Sequence, residues 1–188
     1  MPEAEVTLRL AFWLMDRAGR KSHADIAIDG AHVHIAAHRQ AGRRIKERTV
    51  FDIRNFLATN GCHPEKLRHG WRGSYSHKGQ TLNIESVGGS DVHVKCDGKD
   101  IKTECKGGPL QPAKGRRPIA ILASAIGQVI VSGSDAESEE LWVAVPDSPA
   151  FESAGRRIIR SRAFANTGIR IALVGRSGVR LLEGAQVC

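Results

Sequence analysis

The chain has 188 residues, 41% of them hydrophobic, enough for one buried core and too many for a disordered or fibrous protein. Lys and Arg number 28 against 20 Asp and Glu, a formal net charge of +8 that favours a polyanionic partner and leaves the fold open. Cys62, Cys96, Cys105 and Cys188 show neither CxxC spacing nor a disulfide framework, Met1-Pro2-Glu3-Ala4-Glu5 is too acidic for a signal peptide, and the longest apolar stretch (119–131) is too short to span a bilayer, so a soluble cytoplasmic protein is expected.

Val6, Leu10, Trp13 and Leu14 recur at helical spacing ahead of Gly19, which predicts a helix over 4–17. Asp29-Gly30 between two short alternating segments predicts a hairpin with strands over 24–29 and 31–36. A basic connector covers 39–48. A second helix is expected over 49–59, with Val50, Ile53, Phe56 and Leu57 as its stripe and Asn60-Gly61 as its end. Residues 62–79 are rich in Gly, His and Arg and read as an exposed loop. Three strands follow in close order, over 81–87, 91–96 and 100–106, with turns at Gly88-Gly89-Ser90 and Asp97-Gly98. A Pro-rich loop over 107–118 leads to a third helix over 119–131. Then come a strand over 141–145, a helix over 151–165 carrying Arg156, Arg157, Arg160 and Arg162, and strands over 170–174 and 179–182. From residue 47 the order is α-β-β-β-α-β-α-β-β, an α/β layout around one mixed sheet. Residues 1–45 form an α-β-β extension ahead of a core over 46–188.

The stretch from Gly89 to Gly108 carries the chemistry. If Asp97-Gly98 is a two-residue turn, Cys96 lies opposite Lys99, Val94 opposite Ile101, Val92 opposite Thr103 and Asp91 opposite Glu104. One face then holds Val92, Val94, Ile101, Thr103 and Cys105 and suits a core. The other holds Asp91, His93, Lys102, Glu104 and Lys106. Directly opposed carboxylates repel unless something positive lies between them, and a divalent cation is the natural candidate. Two acids, a lysine and a hard metal are what phosphodiester hydrolysis asks for. The competing reading is a solvated face with salt bridges to Lys102 and Lys106.

Ser90-Asp91, followed thirteen residues later by Glu104-Cys105-Lys106-Gly107-Gly108, resembles the PD-(D/E)XK nuclease superfamily, the restriction-endonuclease-like fold, with Ser90 in place of the motif proline. The resemblance implies an αβββαβ core, matched by the element order over 47–145, and a metal-dependent endonuclease acting on DNA. It implies Asp91 and Glu104 as Mg²⁺ ligands, with Mn²⁺ able to substitute, the backbone carbonyl of Cys105 as a further ligand, and Lys106 as the lysine that positions or activates water. Gln128 falls on a polar edge of the third helix, where many members carry a glutamine bordering the site. Many also use a glutamate from the first core helix, for which Glu47 is a poor match. The alternative function is a catalytically silent nucleic-acid-binding module of the same fold.

Basic residues concentrate between Arg39 and Arg72, nine against three acids, and from Leu141 onward, seven against three. Lys114, Arg116 and Arg117 follow the E-x-K strand and are the best placed to meet a phosphate backbone. Trp71, beside Arg72, and Tyr75 either stack on bases or pin their loop. His32, His34 and His38 read as an exposed polar face, His93 as a neighbour of the acids, and Cys62-His63 with His69 as an incomplete zinc set. DNA is the expected partner, RNA stays open, and a twofold homodimer fits an enzyme that cuts both strands.

Overall fold

The computed structural model describes residues 1–19, 22–28, 39–40, 43–44, 51–85, 89–96, 98–108, 110, 118–134 and 136–183. Helix α1 (Glu3–Ala18) has Glu3 and Glu5 in its first turn and Arg17 in its last, charges that suit the helix dipole. It buries Val6, Leu8, Leu10, Leu14 and Met15. Strand β1 (His23–Ala27) follows, then a two-stranded ribbon of β2 (Arg39–Gln40) and β3 (Arg43–Arg44). Helix α2 (Ile53–Thr59) is capped by the Asp52 carboxylate, which accepts from Asn55 N at 3.0 Å. Strands β4 (His63–His69), β5 (Arg72–His77), β6 (Gln80–Glu85), β7 (Val92–Cys96) and β8 (Lys99–Cys105) come next. Helix α3 (Pro118–Ser132), β9 (Glu139–Pro146), α4 (Pro149–Ile159), α5 (Arg162–Ala165), β10 (Arg170–Val174) and β11 (Val179–Leu182) complete the fold.

Nine strands make one mixed sheet in the order β11-β10-β9-β8-β7-β1-β6-β5-β4. Residues 81–106 therefore do not form a simple three-stranded meander. β1 lies between β6 and β7, parallel to the first and antiparallel to the second, where Ala24 and Ile26 are buried. Local alternation cannot encode that insertion, because the partner strands are about sixty residues away along the chain. α1 and β1 belong to the same sheet-and-helix body as the later elements. The strand expected over 31–36 and most of the basic connector lie outside the described residues.

One apolar cluster joins α1 and α2 to one face of the sheet through Leu82, Ile84, Val92, Val94, Ile101, Trp142 and Ala144. A second joins α3 and α4 to the other face through Leu122, Val129, Val143, Val145, Phe151, Ile171 and Leu173. β9 and β10 are thus buried on both sides over 142–146 and 171–174, where their sequences are apolar; Glu139, Glu140 and Arg170 lie at their starts. On the α3 side the sheet beyond β8 is polar. Lys66, Ser74, Asn83, Asp25, His93 and Lys102 stand in successive registered pairs, forming a row across six strands.

Residues 62–79 are not a loop but β4 and β5. All seven residues of β4 are exposed, so apolar periodicity had nothing to report there. Gly73 makes the ladder possible: its φ is 138°, and a Cβ would stand 2.1 Å from the Lys66 carbonyl oxygen. The helix expected over 151–165 breaks at Arg160-Ser161 into α4 and α5.

Candidate active site

The hairpin register places three of the four expected pairs: Cys96 faces Lys99, Val94 faces Ile101 and Val92 faces Thr103. One further step sets Asp91, at the mouth of β7, across from Glu104 near the end of β8. Val92, Val94, Ile101, Thr103 and Cys105 are all buried. The backbone fixes the acid from both sides. Ala27 N donates to the Asp91 carbonyl oxygen at 3.0 Å, and Cys105 N donates to Asp91 Oδ2 at 2.7 Å. Lys106 N donates to the Ala144 carbonyl oxygen at 2.8 Å, so the β8–β9 ladder carries the lysine into place. Its Nζ donates to Glu104 Oε1 at 2.5 Å, and both side chains are largely shielded from solvent.

A third carboxylate arrives from the start of the chain. Gly107 N donates to Glu3 Oε2 at 3.3 Å, while Gly108 N donates to the Met1 carbonyl oxygen at 2.9 Å and the Met1 amine donates to the Gly108 carbonyl oxygen at 2.5 Å. The two glycines after Lys106 have separate steric reasons. A Cβ on Gly107 would stand 2.6 Å from Glu3 N, and one on Gly108 would stand 2.6 Å from the Phe151 ring. Glu3 is the site residue that sequence reasoning passed over. Its place in the first turn of the first helix was visible, but the pairing of β1 with β7, which brings that helix to the acids, was not.

The electrostatics record the crowding. Burial pushes the Asp91 carboxyl up to about 7. The Cys105 N–H opposes the rise, the charges of Glu104 and Glu3 add to it, and Lys106 lowers it. Burial by itself would lower the Lys106 amine, but its hydrogen bond to Glu104 and the charges of Glu3, Glu104 and Asp91 outweigh that and hold it above its usual value. The Cys105 thiol is fully buried and shifted well upward by burial, so at that position only the backbone remains to ligate. Glu104 contacts the Lys106 amine, while Asp91 and Glu3 act on it through their charge; carboxylate oxygens are the hard donors that a divalent cation such as Mg²⁺ or Mn²⁺ takes. Among the described residues, no group of three or more His, Cys, Asp or Glu side chains is placed so that it could hold a metal ion.

The other candidates distribute differently. Gln128 is on the exposed side of α3, and among the described residues no hydrogen bond joins it to Asp91, Glu104 or Lys106. Lys114, Arg116, Arg117, Glu47, His32, His34 and His38 lie outside the described residues. Arg72 opens β5. Register carries its row through Glu85 and Ala27 to Asp91, three strands away, about 15 Å at the usual strand spacing. Its Nε is buried without a hydrogen-bond partner, and its guanidinium lies 5.2 Å from the centre of the Trp71 ring. Tyr75 is buried and donates to the Trp71 carbonyl oxygen at 2.5 Å, so this tyrosine pins the turn. His93 pairs with Asp100 at 3.0 Å, and Lys102 with Glu139 at 2.6 Å. Cys62 is buried 3.7 Å from His77 Nδ1, in a core contact and not a zinc set. Of the basic residues after Leu141, Arg156, Arg170, Arg176 and Arg180 are engaged in ion pairs. A cleft of about 280 Å³ is lined by Asp25, Glu85, Ser90, His93, Lys102 and Ser132, and not by Asp91, Glu104 or Lys106.

No family model, curated protein or solved structure matches the chain. Among the described residues no helix is long and apolar enough to cross a membrane.

Proposed function

We propose that the chain is a metal-dependent nuclease of the restriction-endonuclease-like type, hydrolysing phosphodiester bonds in DNA. The observation that carries this reading is the Lys106–Glu104 pair beside Asp91, whose carboxyl is raised to about 7 by burial and by the charges of Glu104 and Glu3. Element order supports it in a form the sequence did not suggest. α1, β1, β7, β8, α3 and β9 follow one another as an αβββαβ unit, with residues 28–91 as an insertion between its first two strands. On this assignment Glu3, not Glu47, is the first-helix glutamate.

Asp91, Glu104 and Glu3 would hold the cation, with the Cys105 carbonyl as the further backbone donor. A hard divalent ion supplies a water of lowered pKa and stabilises charge on the phosphate and the leaving oxygen. To hold a cation Asp91 would have to give up its proton, which would make loading pH-dependent. Lys106 stays protonated through neutral pH, and its amine lies where it can orient the attacking water or neutralise a phosphate oxygen. Arg72, with Lys114, Arg116 and Arg117, would hold the backbone of the nucleic acid.

The second reading, a silent binding module, is favoured by the direct Lys106–Glu104 pair, which already neutralises one acid. Plasmid nicking with Mg²⁺ or Mn²⁺ separates the two. The nuclease reading expects cutting by wild type and losses of about 10²–10³ in Lys106→Ala and Glu104→Gln, the size typical when one charge-stabilising group is removed. Absence of cutting by wild type, with metal-independent and salt-sensitive DNA binding, selects the module.

A further inference from the structure

β1 and β6 run parallel and bring three side chains able to ligate a metal to one spot on the polar face of the sheet. His23 and Asp25, two apart on β1, point to the same side. Asn83 on β6 is the registered partner of Asp25. Three atoms meet there. His23 Nε2 lies 2.8 Å from Asp25 Oδ1, and Asn83 Nδ2 lies 3.1 Å from Asp25 Oδ1 and 3.2 Å from His23 Nε2. Hydrogen bonds cannot satisfy all three edges of this triangle. With a proton on Nε2, the ring donates to Asp25, and two donors, the ring N–H and the Asn83 amide, oppose each other at 3.2 Å. With Nε2 bare, Asn83 donates to both neighbours, and two acceptors, Nε2 and Oδ1, oppose each other at 2.8 Å.

We propose that His23, Asp25 and Asn83 form a binding site for one first-row divalent ion such as Zn²⁺ or Co²⁺. A cation among the three meets an acceptor on every side once the Asn83 amide turns over and offers Oδ1. Ser74 on β5 permits the turn: its Oγ, which donates to Asn83 Oδ1 at 2.7 Å, accepts from the amide N–H₂ instead and still fixes the ligand from behind. The size fits. Metal–ligand bonds of about 2.1 Å set neighbouring ligands about 3.0 Å apart in octahedral geometry, and the three edges, 2.8, 3.1 and 3.2 Å, bracket that value. An imidazole in the set favours a first-row transition ion over Mg²⁺, which takes oxygen. The His23 and Asp25 side chains are 45% and 53% exposed, and Asp25 also lines the cleft with His93 and Lys102, so the positions left open face solvent. That is the arrangement of an open metal site, able to take a water or an anionic ligand. It shares no residue with the Asp91, Glu104 and Lys106 group and does not depend on the nuclease reading.

The test is calorimetry of the full chain, free of nucleic acid, titrated with Zn²⁺ from about 1 to 100 μM, a range that brackets a micromolar Kd. His23→Gln and Asn83→Leu should each weaken one equivalent about tenfold or more. Asn83→Asp should tighten it, because a second carboxylate adds charge for the ion and only repulsion without one. Glu104→Gln should leave this equivalent in place, which separates the site from the nuclease reading. Circular dichroism melts of the variants should show the fold retained. One readout needs no variant: Co²⁺ should shift the His23 ring resonances in proton NMR. Wild type that takes up no Zn²⁺ over this range overturns the proposal. So does uptake that either the His23→Gln or the Asn83→Leu chain leaves unchanged, and so does a His23 ring that Co²⁺ does not shift.

Discussion

Asp91→Asn should remove a loss of stability that wild type suffers between pH 5 and pH 7. In the unfolded chain Asp91 ionises near the ordinary value of about 3.9, and in the fold only near 7. Between those values the folded protein holds a proton that the unfolded chain has lost, so this residue's contribution falls as pH rises and levels off above about 7. The slope is about 1.4 kcal/mol per pH unit and halves at the midpoint, which gives about 2 kcal/mol from pH 5 to pH 7, and partial contact with water reduces it further. Asparagine keeps an oxygen for the Cys105 N–H and has no charge to bury. Urea unfolding of both proteins at pH steps from 5 to 9, in chelator, isolates the effect. The difference between them cancels the opposite slopes of Asp100, Glu139, Glu140 and Glu152, whose carboxyls are all held low. The variant should gain on wild type up to pH 7 and hold its gain beyond. Added Mg²⁺ should recover wild type above pH 7 and leave the variant unmoved, since only wild type offers the full acid set. Parallel curves for the two proteins would refute both the burial argument and the reading of Asp91 as the proton-coupled ligand.

Other outcomes can be read without activity. Thr103 Oγ1 is buried with no hydrogen-bond partner, so Thr103→Val should raise stability by about 1 kcal/mol in denaturant titration. Gly73→Ala drives a Cβ into the Lys66 carbonyl and demands a strained φ, so it should cost about 2–3 kcal/mol, with faster hydrogen exchange confined to β4 and β5.

At the β7–β8 hairpin and in two helices the sequence carried its own local evidence, and the structure agrees with it. The two-residue turn fixed the register of β7 and β8, and the alternation of Val92, Val94, Ile101 and Thr103 fixed their buried face. The apolar stripes of α1 and α3 fixed those helices to within a residue at most termini. The strand order was hidden, because nothing in His23–Ala27 says that it pairs with segments near residues 82 and 93. β4 was hidden for a different reason: a strand exposed on both faces has no burial pattern to display, and it is held by its ladder to β5. Glu3 was missed through the first of these causes. Its approach to Lys106 exists only because β1 enters the sheet beside β7 and draws α1 across it.

That dependence makes the candidate site sensitive to a residue far from its motif. Glu3 adds to the elevation of Asp91 and to that of Lys106, and Gly107 N holds its carboxylate at 3.3 Å. Glu3→Gln removes one of the negative charges while leaving an oxygen for the Gly107 N–H. The Asp91 midpoint should then move down from about 7, though not to the ordinary carboxylate value, because burial is the larger cause and Glu104 remains. The Lys106 amine should also move down, having lost one of the charges that favour its proton. Carbon-detected NMR titration of the Asp91 carboxyl reads the first effect directly. If the acids are a cation site, the same variant should weaken Mn²⁺ binding by calorimetry with little change in unfolding free energy at pH 6, where Asp91 is mostly protonated. A titration curve for Asp91 identical to wild type would place Glu3 outside the cluster, and the first helix would then serve the site by packing alone.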